Sequence, residues 1–334
     1  MHQQEGDGPL YIILYIDDIT ILGASLEAVK ELKAKLAQHY EISDLGEIQS
    51  YLVIRISRDQ QNKHLTIDQS GYIKDVLECF GMADANPHHT PLLAGADMHL
   101  VKYNLQASAS DIKHYQRLIG SLLYVQIGTR PDNSFAVSHL VQYAANPSPD
   151  HLCLAQYVLS YLVGTQDVCL CYDGANREGL FGYMDPSLAD QTDNCHSTSG
   201  YVFLLANGAI SWSSWKQKTV AQNSTHAEYM AMTDASNQGV WYRSFFTELG
   251  YTIDEPIPLH GDNKGAINLA ENTVTGCWSK HIDIKHHAIH EYIEEGKISM
   301  IHTSTAKMVA DGFTKSLSCA LLQRFNSDMG LDGA

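Results

Sequence analysis

The chain has 334 residues, 44% hydrophobic and 18% charged, enough apolar material for two or three cored units and too much for a disordered chain. Its 22 basic and 38 acidic residues give a net charge of −16, which excludes the bulk positive field typical of a nucleic-acid coat. Seven scattered cysteines without paired CxxC spacing argue against a disulfide framework, no apolar run reaches the length of a membrane span, and MHQQEGDGP lacks a signal pattern, so a cytoplasmic or nuclear location is expected.

In chain order, YIILYIDDITILG predicts two short apolar strands around a tight acidic turn, and SLEAVKELKAKLAQHY an amphipathic helix with a serine at its start. QSYLVIRIS and KHLTID flank the polar turn RDQQN as a second hairpin, and QSGYIKDVLECFGM predicts a helix stopped by Gly81 and the later Pro87. Residues 84–107 look like a long loop. Three helices follow, in DIKHYQRLIGSLLYVQIG, in SFAVSHLVQYAA, and in the segment opened by Pro149. After GTQDVCLCYDGANREG the pattern changes to strands at GLFGYMD, GYVFLLA and AISWSS, then a long helix from Ala227 to about Leu249. IPLHG predicts a strand, Ala266 and Leu269 a helix, KHIDIKHHAIHEYIEE a helix, KISMIHT a strand, and the chain ends in a helix beyond Val309. This order predicts an α/β (α+β) fold, a mixed sheet covered by helices.

Four separated carboxylates, Asp185, Glu228, Asp262 and Asp311, stand where strands end or helices begin. Acids drawn together from separate segments repel one another unless divalent cations lie between them, so their convergence would mean metal-dependent phosphoryl chemistry. Each residue alone has a plainer reading. Thr225-x-x-Glu228 fits a capping box, Asp262 an N-cap, and Asp185 before Pro186 a turn. The cluster His281, His286, His287 and His290 has two members one helical turn apart, but Cys277 is the only nearby thiol and a zinc finger's paired-cysteine arm is missing, so packing is the expected role. Lys216 and Lys218 beside Trp212 and Trp215 make a small basic and aromatic patch, from which weak, strongly salt-dependent nucleic-acid affinity is expected.

The strings GYMD, STSGYVFLLANGAISWSSWKQKTVAQNSTHAEYMAM, GDNKGAINLAEN, SKHIDIKHHAIHEYIEEGKI and VADGFTKSL, in this order, resemble the RNase H domain at the end of a copia-type LTR retrotransposon polyprotein. Upstream, LYIILYIDDITILG, EISDLGEIQSYLVIRISRD and the stretch from YQRLIG to PSPDH look like the back half of that family's reverse transcriptase. The resemblance implies a truncated palm and thumb in residues 1–95, a connection-like helical region in 96–172, an RNase H-like domain with a mixed five-stranded sheet in 173–320, and a tail in 321–334. It implies endonucleolytic cleavage of RNA in RNA–DNA hybrids with two Mg²⁺ or Mn²⁺ ions held by Asp185, Glu228, Asp262 and Asp311, and no small-molecule cofactor. Asn223, Gln217, Ser224 and Thr225, with Lys216 and Lys218, are the implied substrate contacts. Asp17 and Asp18 match the family's polymerase metal ligands. Only sixteen residues precede Asp17, so polymerisation would need a missing N-terminal partner chain. Ser187, Leu188, Cys195, His196 and His226 depart from the family pattern, which opens the alternative of a degenerate relic that at most binds nucleic acid.

Overall fold

The computed structural model describes residues 8–95, 100–187, 196–217, 224–271 and 288–333, and divides the chain into two units, residues 1–51 and 52–334. The expected palm and thumb portion thus straddles the division.

In the first unit, β1 (Leu10–Tyr15) and β2 (Asp18–Gly23) pair antiparallel from Leu10↔Gly23 to Tyr15↔Asp18, closed by the two-residue turn Ile16-Asp17. Ile16 adopts φ +51°, a conformation that costs a β-branched residue energy. The helix α1 (Leu26–His39) starts at Ser25, whose hydroxyl accepts from the Ala28 amide at 3.2 Å, and a two-residue strand, β3 (Ser50–Tyr51), follows. Ile12, Leu14 and Ile16 are exposed, so this hairpin buries little of its apolar surface.

In the second unit, β4 (Ile54–Asp59) and β5 (His64–Asp68) form the predicted second hairpin. The helices α2 (Ser70–Cys79), α3 (Ala109–Gly128), α4 (Ser134–Val141) and α5 (Pro149–Gly164) share a core that includes Ile73, Leu77, Leu118, Leu122, Val137, Leu140, Val158 and Leu159. Between α3 and α4, Arg130 is wholly buried with Asp132 at 2.7 Å. Tyr161 Oη donates to the same carboxylate at 2.7 Å, and Arg130 Nη1 donates to the Thr165 carbonyl at 2.7 Å. A buried charge is tolerated only with such complete pairing.

The strand β6 (Cys169–Asp173), unpredicted, pairs antiparallel with β5 and joins that hairpin to the chain end. Five further strands form the expected mixed sheet: β7 (Phe181–Ser187), β8 (Thr198–Leu205), β9 (Gly208–Lys216), β10 (Ile257–Gly261) and β11 (Ile298–His302), in the order β11-β10-β7-β8-β9. β7, β8 and β9 are antiparallel neighbours, whereas β10 runs parallel to both β7 and β11. Ala206 and Asn207, both at positive φ, close the β8–β9 hairpin. The long helix α6 (Ser224–Glu248) begins three residues before the predicted start, and its Met232, Ala235 and Tyr242 join Phe203, Leu259 and Ile298 in one core. α7 (Lys264–Glu271) follows β10.

Residues 321–334, expected as a tail, hold most of α8 (Cys319–Asp328) and the strand β12 (Leu331–Asp332). β12 pairs with β6, and Leu322, Phe325, Met329 and Leu331 are buried with Leu170, Val202, Leu204 and Phe313. An amphipathic helix with that much apolar surface gains more from burial than from solvent. The described cysteines Cys79, Cys153, Cys169, Cys171 and Cys319 are free thiols. Among the described residues no helix is long and apolar enough to cross a membrane.

Candidate active site

Parallel pairing puts the carboxyl ends of β7 and β10 side by side. The register Leu259↔Gly182 and His260↔Tyr183, carried on two residues, brings Asp262 level with Asp185 at the end where open α/β sheets place their ligands. Asp185 is only 7% exposed and pairs across β8 with Gly200. A Cβ at Gly200 would collide with that of Phe313, so this glycine lets the 3-10 turn Val309–Phe313 lie on the sheet. That turn delivers Asp311, and Thr314 Oγ1 just beyond it donates to Asp185 Oδ2. Glu228 enters from near the start of α6, four residues after Ser224.

Burial pushes the Asp185 carboxyl up to about 7, helped by the charges of Asp311 and Asp262 and opposed by the Thr314 hydroxyl and Lys315. Glu228 is pushed up to about 8, again by burial first and then by Asp185 and Asp262, while the Asn263 side chain favours its charged form. Asp311 is raised by burial and by Asp262, against the pull of Lys315 and a hydrogen bond with Asp185. Asp262 Oδ2 accepts from Thr305 Oγ1 at 2.8 Å, and its carbonyl accepts from His302 Nε2 at 3.1 Å. Asp185 and Asp262 therefore act on both Glu228 and Asp311. Among the described residues, no three His, Cys, Asp or Glu side chains are grouped closely enough to hold a metal ion.

The implied substrate contacts divide. Gln217 is a correction: it is buried, with Nε2 donating to Ser199 Oγ at 2.7 Å and to the Ala227 carbonyl at 3.0 Å. It ties β8 to the start of α6 and thereby fixes the approach of Glu228, with its amide turned away from solvent. Lys216 is half-buried, its Nζ 3.4 Å from Gln142 Oε1, and neighbouring Trp212 donates to the Gln126 carbonyl at 3.0 Å. Thr225 is half-buried in the first turn of α6, where Ser224 begins the helix. Asn223 and Lys218 lie outside the described residues, as do Leu188, Cys195, His281, His286 and His287. His290 Nδ1 stands 3.2 Å from the Ala270 carbonyl, a packing contact. His196 Nδ1 contacts the Gln217 carbonyl at 2.7 Å. In the first unit, Asp17 and Asp18 are exposed at the hairpin tip. Thr305, Thr314, Lys315 and Asn263 were missed by the sequence reading, although the i,i+4 spacing of Asp311 and Lys315 was visible in VADGFTKSL.

A family model described as reverse transcriptase (RNA-dependent DNA polymerase) matches residues 1–94. The retrovirus-related Pol polyprotein from transposon TNT 1-94 of Nicotiana tabacum is 34% identical over 92% of this chain. A putative transposon Ty5-1 protein of Saccharomyces cerevisiae is 33% identical over 68% of this chain and 73% of its own length. The chain belongs to the copia-type retrotransposon Pol family. It spans 23% of the tobacco polyprotein. Among solved structures, LC11-RNase H1 isolated from compost is 16% identical, covers 41% of this chain and 92% of its own, and superposes with a TM-score of 0.32.

Proposed function

We propose that this Pol-family chain carries a two-metal ribonuclease H that cleaves the RNA strand of RNA–DNA hybrids. What supports the reading is the parallel register that brings Asp262 level with Asp185 at one end of the sheet, with Asp185 and Glu228 lifted to about 7 and about 8 by burial first and by neighbouring acids from other segments. An all-oxygen donor set suits hard divalent ions such as Mg²⁺ or Mn²⁺, and repulsion among carboxylates is what such ions relieve. Asp185, on the central strand, would hold both ions, Glu228 and Asp262 would share one, and Asp311 would complete the other. When bound, the ion pair supplies activation of water and stabilisation of the leaving 3′ oxygen. The chain itself contributes the rigid sheet edge, the Gln217 strut that sets Glu228, and Thr305, which fixes one oxygen of Asp262.

On the same reading, the exposed hairpin aspartates Asp17 and Asp18 would be polymerase metal ligands of the reverse-transcriptase region matched over residues 1–94. A second reading, a relic without catalysis, is favoured by the lack among the described residues of a ready metal-holding group. A labelled hybrid incubated with Mg²⁺ separates the two. Wild type cutting the RNA strand and Asp185→Asn leaving it intact supports the nuclease. The same outcome for both proteins supports the relic.

A further inference from the structure

Three of the four acids already have an oxygen engaged by the segment that follows β11. Thr305 Oγ1 donates to Asp262 at 2.8 Å, Thr314 Oγ1 donates to Asp185, and Lys315 Nζ stands 2.9 Å from Asp311 Oδ1. The two threonines and the lysine differ in how firmly they are set. Thr314 is 1% exposed and follows Phe313, which is locked over Gly200. The Lys315 side chain, by contrast, is 47% exposed. Among the described residues its ammonium is the positive charge that acts on both Asp185 and Asp311, and those two acids are themselves hydrogen-bonded.

Resting on the nuclease reading, we propose that Lys315 is a positioning residue that acts as a resident counter-charge: it holds Asp311 in the metal-free chain and competes with a divalent ion for that carboxylate, so that loading requires its release. An ordinary surface ion pair would have the same length, but the two roles predict opposite signs. Removing a lysine that merely orders Asp311 weakens metal binding or leaves it unchanged. Removing one that competes for the carboxylate tightens it.

The test is a Mn²⁺ titration of the full chain by calorimetry at fixed ionic strength, comparing wild type with Lys315→Met and Lys315→Arg. Circular dichroism in EDTA serves as the control for folding. The expected result is binding about two- to fivefold tighter in the methionine variant, the span of an exposed ion pair, and close to wild type in the arginine variant, which keeps the charge. Should the methionine variant unfold, Lys315→Gln repeats the comparison with a polar side chain that lacks the charge. Equal or weaker Mn²⁺ binding by the folded, uncharged variant overturns the counter-charge role while leaving the nuclease reading intact. A wild-type chain that binds no Mn²⁺ overturns both, so the two failures are distinguishable.

Discussion

The raised carboxyls make the metal-free protein least stable where it is most ionised, and Asp185→Asn exposes this. Asp185 moves from an ordinary 3.8 to about 7 on folding. The folded state therefore binds this proton more tightly than the unfolded chain does, and stability declines as pH rises from about 4 towards 7. Three pH units at 1.36 kcal/mol each set a ceiling of about 4 kcal/mol. Burial of the charge is the larger cause and repulsion from Asp311 and Asp262 the smaller, and a buried asparagine amide keeps part of the desolvation cost, so the substitution should relieve about half, or about 2 kcal/mol. Asparagine keeps an oxygen to accept from Thr314 and fits the same space. Thermal unfolding in EDTA at pH 8 should thus show Asp185→Asn melting higher than wild type by about 4–8 °C, with the gain vanishing near pH 4. Adding Mg²⁺ at pH 8 should stabilise the wild type and leave the variant unmoved. A variant that melts lower at pH 8, or a gain that does not depend on pH, would refute the electrostatic reasoning.

Gly200→Ala should push the Val309–Phe313 turn off β8, lowering stability by about 1–3 kcal/mol and abolishing hybrid cleavage, as followed by urea unfolding and the labelled-hybrid assay. Asp132→Ala strands the buried Arg130 charge and should cost about 3–5 kcal/mol, whereas replacing both partners with apolar residues should recover much of the loss. Asp68 feels burial raising its carboxyl, yet donors from Ser70 and Arg55 hold it below the ordinary value. Its contribution is therefore present above about pH 4 and disappears as pH falls through the depressed value, so Asp68→Asn should lose about 1 kcal/mol at pH 7 and progressively less as the pH falls below about 4. Gln217→Ala should lower both melting temperature and cleavage, since it removes the strut under Glu228; an effect on substrate affinity alone would restore it as a contact residue.

Local signals carried the reading a long way. Alternation in GYVFLLA, the helical spacing around Tyr115 and Leu122, and Pro149 after the Ser148 cap all correspond to elements found in place. What failed was information held in distant pairings. β6 is a five-residue strand whose partners, His64–Ile67 and Leu331–Asp332, lie about a hundred or more residues away in sequence, so nothing local marks it. Gln217 is expected from the resemblance as a substrate contact because nothing local marks a glutamine as buried, and only the opposing Ser199 and Ala227 make its burial tolerable. The final helix is expected beyond Val309 and is found there; what differs is its burial, since residues 321–334 are expected as a tail although the i,i+3,i+7 spacing of Leu322, Phe325 and Met329 marks an apolar face. At the site, the motifs single out the four acids, whereas the Thr314 and Lys315 side chains that engage Asp185 and Asp311 become visible only when the Val309–Phe313 turn is laid against Gly200.

On the proposed reading Asp185, Glu228, Asp262 and Asp311 grip two divalent ions. Anomalous diffraction from crystals grown with Mn²⁺ at pH 8 tests it most directly. Two peaks bridged by Asp185, one bordered by Glu228 and Asp262 and the other by Asp311, are the predicted result. Absence of any peak within coordination distance of Asp185 at saturating Mn²⁺ would contradict it.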